Sequence, residues 1–441
     1  MAQISPYNDS MRLGMGFNSF TQRLCNYAVR PVGAGFEAHP DPPQYKTSAV
    51  PHSGNISNGY EVMWTAKFVN TMSEVAQSLN ISGAPQIRCD FAPPGGAKTS
   101  ASFNDTNTFA ESDINYLIQV RVSHQRFNHT EFEFIPNLHQ SEFTRLYGDS
   151  FISGFVEGGE FNALISVKLR DRSDADQVKQ QLEAGIGFTA TARDLDQSQS
   201  APIDGEITIA VSWKCGGDIL DGGMTEWTLN SLKAIVMEFP RKATTCPMRI
   251  NALLTKYTSL KGFREKDIQG ALNYENTGLY TAALLDAYLD YKCICRSIQQ
   301  ISRKVEQGEF ALVAKEEMVE LAELFTEAKE MPNGLSPYKG SIYGLVKARK
   351  DCRIEMLKII REVDTVEEQP QVACDLTRPQ QYLDPAMFRM LLPTTQDLKK
   401  ARAAAAQEQL SCADLTRKLE ISERERTAAE ISALGLANEL K

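Results

Sequence analysis

A glycine pair, Gly158-Gly159, stands just before a strand-like run, and this junction constrains the chain more than any other stretch. From Phe161 to Leu169, Ala163, Ile165, Val167 and Leu169 alternate with Leu164, Ser166 and Lys168, the period-2 pattern of a strand. Glycine has no Cβ and tolerates positive φ, so two of them at the start of a strand permit a bulge, a sharp bend or a hinge. The preceding residues, Leu146-Tyr147-Gly148-Asp149-Ser150-Phe151-Ile152, open on an aromatic-glycine pair and carry a short apolar core.

Further alternating runs flank this junction. Ile118, Val120 and Val122 alternate with Gln119, Arg121 and Ser123, a half-buried strand. Between Glu206 and Lys214, Ile207, Ile209, Val211 and Trp213 oppose Thr208, Ala210, Ser212 and Lys214. Gly185 to Ala192 alternates again through Ile186 and Phe188, Ala97 to Phe103 does so weakly, and Ile250 to Tyr257 reads as a last strand. Helical spacing is expected partly over Tyr60–Leu79, and over Gln177–Ala184 and Leu229–Met237. Strands and helices in this order give an α+β chain.

From about residue 265 the pattern turns helical. Leu284, Tyr288, Tyr291, Cys295, Ile298 and Val305 form one stripe, Met318, Leu321 and Phe325 a second, and Ile342, Leu345, Cys352, Met356, Ile359 and Val363 a third. Three amphipathic helices predict a bundle over 263–364. A Pro- and Gln-containing linker is expected over 365–394, and a polar helix with a weak coiled-coil pattern over 395–441.

Composition narrows the function classes. The chain has 441 residues, 42% hydrophobic and 23% charged, the balance of a soluble globular protein. A net charge of -9 argues against a nucleic-acid partner and against simple electrostatic adhesion to anionic lipid. No basic n-region with an apolar h-region opens the chain, so the expectation is a cytoplasmic protein as synthesised, without a leader. No run of 18 apolar residues offers a transmembrane helix.

The sequence shows no catalytic constellation. The Gly14-Met15-Gly16 run lacks the third glycine of a dinucleotide site, and Gly95-Gly96-Ala97-Lys98-Thr99-Ser100 lacks the spacing of a phosphate loop. The five histidines show no metal-ligand spacing, and the nine cysteines, including Cys293-Ile294-Cys295, form no CxxC pair. The expectation is a protein that is not an enzyme and holds no cofactor or metal.

Tyr147-Gly148, Phe151, six residues and then Gly158-Gly159 resemble the signature of the membrane attack complex/perforin (MACPF) superfamily, related in fold to the cholesterol-dependent cytolysins. The family has Thr-His where this chain has Asp149-Ser150, which puts the local hydrogen bonds in question and leaves the glycine hinge intact. The run from Phe239-Pro240 to Leu254-Thr255-Lys256-Tyr257 resembles fungal perforin-like proteins. The resemblance implies a MACPF-like domain over 1–262, with a bent, twisted antiparallel sheet flanked by two helical clusters, 73–122 and 176–214, that unfurl into β-hairpins. It assigns the hinge to Tyr147, Gly148, Phe151, Gly158 and Gly159.

A membrane hairpin needs strands of about 9–11 residues, apolar outward and polar inward. The candidate membrane-facing residues are Ile118, Val120, Val122, Ile186, Phe188, Ile207, Ile209, Val211 and Trp213. Open edges do not survive in hydrocarbon, so such a protein closes a barrel from many copies. The implied function is a pore-forming cytolysin that self-assembles on membrane lipid. Some fungal relatives depend on an aegerolysin-type lipid-binding partner, and no lipid-binding module is recognisable here. Some superfamily members do not lyse membranes, so the alternative is a non-lytic interaction protein that keeps the fold.

Overall fold

The computed structural model describes residues 3–32, 60–89, 98–99, 106–124, 130–136, 138–139, 142–186, 205–216, 219, 227–263, 272–313 and 337–398, together with 407 and 418. The first elements are β1 (Gln3–Pro6), β2 (Met15–Asn18), β3 (Arg23–Tyr27), β4 (Val29–Pro31) and β5 (Tyr60–Phe68). Helices α1 (Met72–Ser78) and α2 (Gly83–Cys89), strand β6 (Lys98–Thr99) and helix α3 (Thr106–Glu111) follow. Next come β7 (Ile114–His124), β8 (Phe132–Phe134), α4 (Phe143–Tyr147) and β9 (Ser150–Leu169). Helix α5 (Ala175–Ile186), β10 (Gly205–Lys214), α6 (Leu229–Thr245) and β11 (Met248–Lys256) complete the α+β part. The C-terminal region holds α7 (Gly278–Glu306), β12 (Phe310–Val313), α8 (Ile342–Glu368), α9 (Pro385–Leu391) and β13 (Thr394–Asp397).

Two compact units emerge. The first comprises residues 1–293 and 356–382, the second 294–355 and 383–441, so the division falls within α7 and α8 and not at residue 262.

The first unit is built on an antiparallel sheet that joins nine of the described strands. Its centre is a run of four, β5–β7–β9–β10, each antiparallel to the next. Alternation sorts the side chains. Ile118, Val120 and Val122 of β7, Phe161, Ala163, Ile165 and Val167 of β9, and Val211 of β10 share one face and are buried. Val178 and Leu182 of α5 and Leu232, Val236, Phe239 and Ala243 of α6 cover that face. The α6 residues recur at helical spacing, and a reciprocal capping box between Thr228 and Ser231 fixes where that helix starts. Register slips in the β9–β11 pairing between Arg249 and Asn251, and again between Leu253 and Leu254, are bulges that add bend to the sheet.

The opposite face is polar and yet buried. Asn162 of β9 lies between Gln119 and Ser212, and Glu160 between Arg121 and Lys214. Gln119 Nε2 donates to Asn162 Oδ1 at 3.0 Å and to the Ser78 carbonyl of α1 at 3.0 Å. Arg121 donates to Glu160 at 3.2 Å, and Lys214 Nζ to the Tyr7 carbonyl at 2.8 Å. Buried charges need such partners, and burial still pulls the Lys214 ammonium below its ordinary pKa.

The second unit contains the end of α7, the start of α8, α9 and the antiparallel β12–β13 pair. Tyr338 donates to Asp351 at 3.0 Å, and its ring lies 5.7 Å from that of Phe388.

Several expectations change. Residues 60–68 of the segment read as partly helical form a strand, because Tyr60–Phe68 pairs with β7 along its whole length and only Met72–Ser78 coils. Ile186, expected on a strand, is the last residue of α5, where Val178 and Leu182 of the same helix pack at helical spacing against the sheet. The expected linker 365–394 holds the end of α8, a 3-10 turn at Pro370–Cys374 and helix α9, whose N-terminus is capped by Asp384. The expected final helix begins instead as strand β13, which pairs with β12. Phe188, most of Ala97–Phe103, the 318–328 stripe and nearly all of 399–441 lie outside the described residues.

Candidate functional site

Gly158 and Gly159 lie where β9 changes its partner. β9 pairs with β11 from Ser150 to Gly158 and with β10 from Glu160 to Leu169. β7 pairs with residues of both stretches, from Glu157 to Val167, so β10 and β11 share the opposite edge. Gly158 has φ +151°, and a Cβ there would sit 1.9 Å from the Val122 carbonyl oxygen. A Cβ on Gly159 would sit 2.5 Å from that of Ala243 in α6. One glycine therefore lets the strand bend against β7, and the other lets α6 rest on the bend.

The aromatic-glycine half of the motif is locked to the N-terminal hairpin. Gly148, φ +80°, ends α4, and a Cβ on it would meet the Phe17 carbonyl oxygen at 2.2 Å. Phe151 is buried, its ring centroid 5.0 Å from Phe132 and 5.4 Å from Tyr257. Tyr257 donates to the Tyr147 carbonyl at 3.0 Å. Where the resembled signature has Thr-His, Asp149 accepts from the Ser19 amide at 2.6 Å and its hydroxyl at 2.7 Å, while Ser150 donates to Asp149 at 3.1 Å. These bonds tie the motif to the turn after β2. Burial, with the Asp149 carboxylate nearby, pushes the Cys25 thiol up to about 11.

Two long insertions interrupt the four central strands. Residues 69–113 join β5 to β7, and residues 170–204 join β9 to β10. Phe68 faces Tyr116, Ile114 faces Val167, and Leu169 faces Gly205, so both insertions leave the sheet at the same end.

The first insertion is tied down by polar groups from outside the sheet. Asp286 of α7 accepts from the Ser73 amide at 3.0 Å and from its hydroxyl at 2.6 Å, at the start of α1. Burial raises the Asp286 carboxyl above its ordinary value against the pull of those hydrogen bonds. Arg88 of α2 reaches Asp364 and Glu367 of α8, each at 2.5 Å. A cleft of about 940 Å³ runs beneath the α1–α2 turn, lined by Ser19, Gln22, Asn80, Lys256 and Thr281 among others.

The sequence-predicted residues divide accordingly. Tyr147, Gly148 and Phe151 gather at the start of β9, while Gly158 and Gly159 lie further along the same strand at its bend, against Val122 and Ala243. Ile118, Val120, Val122 and Val211 are fully buried on the apolar face, and Ile207, Ile209 and Trp213 pack against the same core. Sequence reasoning missed Asp286, Arg88 and the Arg121–Glu160–Lys214 row. A run of polar residues opposite apolar ones was visible in both strands, but it does not say that the polar face is covered.

Among the described residues no group of His, Cys, Asp and Glu is arranged to hold a metal, and no helix is long and apolar enough to cross a membrane.

No protein-family profile and no curated protein matches the chain. Among solved structures, stonustoxin aligns with a TM-score of 0.40 at 10% identity, over 85% of this chain and 44% of its own. GNIP1Aa from Chromobacterium piscinae aligns with a TM-score of 0.27 at 12% identity, over 58% of this chain and 52% of its own. The chain thus spans about half the length of each. Both scores are low.

Proposed function

We propose that the chain is a non-enzymatic pore-forming protein of the MACPF type, in the manner of fungal perforin-like proteins, that assembles with copies of itself on a membrane. One observation carries this: four consecutive antiparallel strands, with both long insertions leaving at one end of the sheet. Straightened, 69–113 would extend β5 and β7, and 170–204 would extend β9 and β10. Each insertion is longer than two membrane strands of about 9–11 residues and a turn. The two hairpins would then enter a bilayer side by side.

Register supports the assembly step. Among the described strands β5 pairs only with β7, and β10 meets β6 beyond its β9 edge only at Ser212 and Trp213. The outer edge of β5 in one copy can pair with the β10 edge of the next once β6 is displaced, and closure of the ring removes every open edge. The polar face carrying Gln119, Arg121, Glu160, Asn162 and Lys214 would line the water-filled interior, and the apolar face would turn outward.

The test is dye release from liposomes by the full chain, with and without an aegerolysin-type lipid-binding protein. Ser73→Cys with Asp286→Cys places two thiols where a hydrogen bond now joins α1 to α7. The expected result is leakage that oxidation of this pair abolishes and a reductant restores. Absence of leakage on every membrane, with or without the partner, would favour a non-lytic interaction protein.

A further inference from the structure

The overall charge of -9 conceals a local exception on the half of α8 that belongs to the second unit. Ile342, Tyr343, Val346 and Ile354 are exposed there, Tyr343 at 75% and Val346 at 59%. Lys347, Lys350 and Arg353 are exposed beside them. At about 100° per residue these seven side chains fall within an arc of roughly 140° on the helix. Asp351, the one acidic residue between Ile342 and Ile354, lies outside that arc and accepts from Tyr338. Among the described residues, Lys347, Lys350 and Arg353 take part in no ion pair.

Single exposed apolar residues are ordinary on a protein surface. Four of them clustered with three unneutralised cations on one helix face are a different pattern. Apolar area alone would suit a second helix, and cations alone would suit any anion. The mixture suits an interface where a hydrocarbon layer lies just beneath negative charge. Tyr343 and Val346 can enter the headgroup boundary, while the long Lys and Arg stems lie along it and keep their charges at phosphate level. Tyrosine is favoured at that depth because its ring is apolar and its hydroxyl polar.

We infer that this face of α8, centred on Tyr343, Val346, Lys350 and Arg353, is a docking surface for an anionic lipid membrane. The inference goes beyond the pore-forming reading, because adsorption through α8 requires neither insertion nor a ring. It departs from the expectation from net charge: attraction acts over about a Debye length of 8–10 Å, so a local cationic face governs contact, not the sum over the chain.

Flotation of the full chain with vesicles tests this, comparing phosphatidylcholine alone with phosphatidylcholine containing about 30% phosphatidylserine, a surface whose negative potential attracts basic residues. The expected result is binding to the anionic vesicles, little to the neutral ones, and release by about 1 M salt, where screening shortens to about 3 Å. Reversing Lys347, Lys350 and Arg353 to Glu should weaken that binding by about 100-fold or more, each basic residue near the surface contributing about 1 kcal/mol before reversal. Tyr343→Ser with Val346→Ser should weaken it with no change of charge. All five positions are exposed, so an unchanged thermal melt checks that each variant folds. Equal binding to both vesicle types, or anionic binding unaffected by the triple reversal, would overturn the inference. Binding to polyglutamate as strong as to anionic vesicles would overturn the lipid assignment. Dye leakage is recorded in parallel: vesicles that bind the chain and stay sealed count against the pore alone, and leakage indifferent to the α8 variants counts against α8 alone.

Discussion

The two insertions leave the sheet at the same end but are held by different mixtures of apolar and polar contact. The second packs α5 through Val178 and Leu182 into the apolar core, beneath the same sheet face that α6 covers. The first also buries apolar side chains, among them Met72, Val75, Leu79, Ala84 and Ile87, and adds directed polar contacts: Asp286 on Ser73, Arg88 on Asp364 and Glu367, and Gln119 on the Ser78 carbonyl. A cleft also undercuts its α1–α2 turn. Apolar burial is non-directional, whereas a hydrogen bond depends on distance and angle. Loss of the polar anchors is expected to loosen the first insertion while the second keeps its packing on the core.

Substitutions can break this comparison at several strengths. The largest effect is expected at the bend that both insertions depend on. Gly158→Ala places a methyl group against the Val122 backbone at φ +151° and should cost about 3 kcal/mol or more, by overpacking with backbone strain. Calorimetry should show a much lower Tm, and an unchanged Tm would remove the hinge geometry from the account.

Leu182→Ala, at a residue only 1% exposed, should cost about 2–4 kcal/mol as a cavity in the core. Because the core is shared with the sheet, denaturant unfolding should register the loss across the whole first unit. Asp286→Ala should cost less, about 1–3 kcal/mol for hydrogen bonds to a charged group, and confine its effect. Hydrogen exchange is expected to quicken over Met72–Ser78 while β7 and β9 stay protected. Uniform quickening across the sheet would show that the polar anchors are not separable from the core.

The smallest effect is chemical. With its thiol raised to about 11, Cys25 should react slowly with alkylating reagents at pH 8 and about tenfold faster per pH unit until that value, since only the thiolate attacks. An ordinary thiol rate at pH 8 would mean that the β2–β3 hairpin does not seal the Asp149 region.

Much of the sheet was legible because a half-buried strand must alternate. Ile207, Ile209, Val211 and Trp213 announced β10, and Phe161–Leu169 announced the second half of β9. Its first half was harder, since Ser153, Gly154, Glu157 and Gly158 interrupt the pattern just where the partner changes. Tyr60–Phe68 misled because a strand at the sheet edge, exposed at Met63 and Trp64, need not alternate cleanly. The anchors were invisible for another reason: Ser73 and Asp286 are 213 positions apart, and nothing local to either residue names the other. The cationic face of α8 was hidden in the opposite way, by averaging its charges into an acidic whole.

In the proposed pore, both insertions exchange helix for membrane strand. An environment-sensitive dye attached in turn to single cysteines along 72–78 and 175–186 measures this directly on liposomes. Lipid exposure is expected to alternate at every second residue in both segments, the signature of a hairpin crossing the bilayer. Exposure repeating about every 3.6 residues, or no lipid exposure in either segment on a membrane to which the chain is bound, would contradict it.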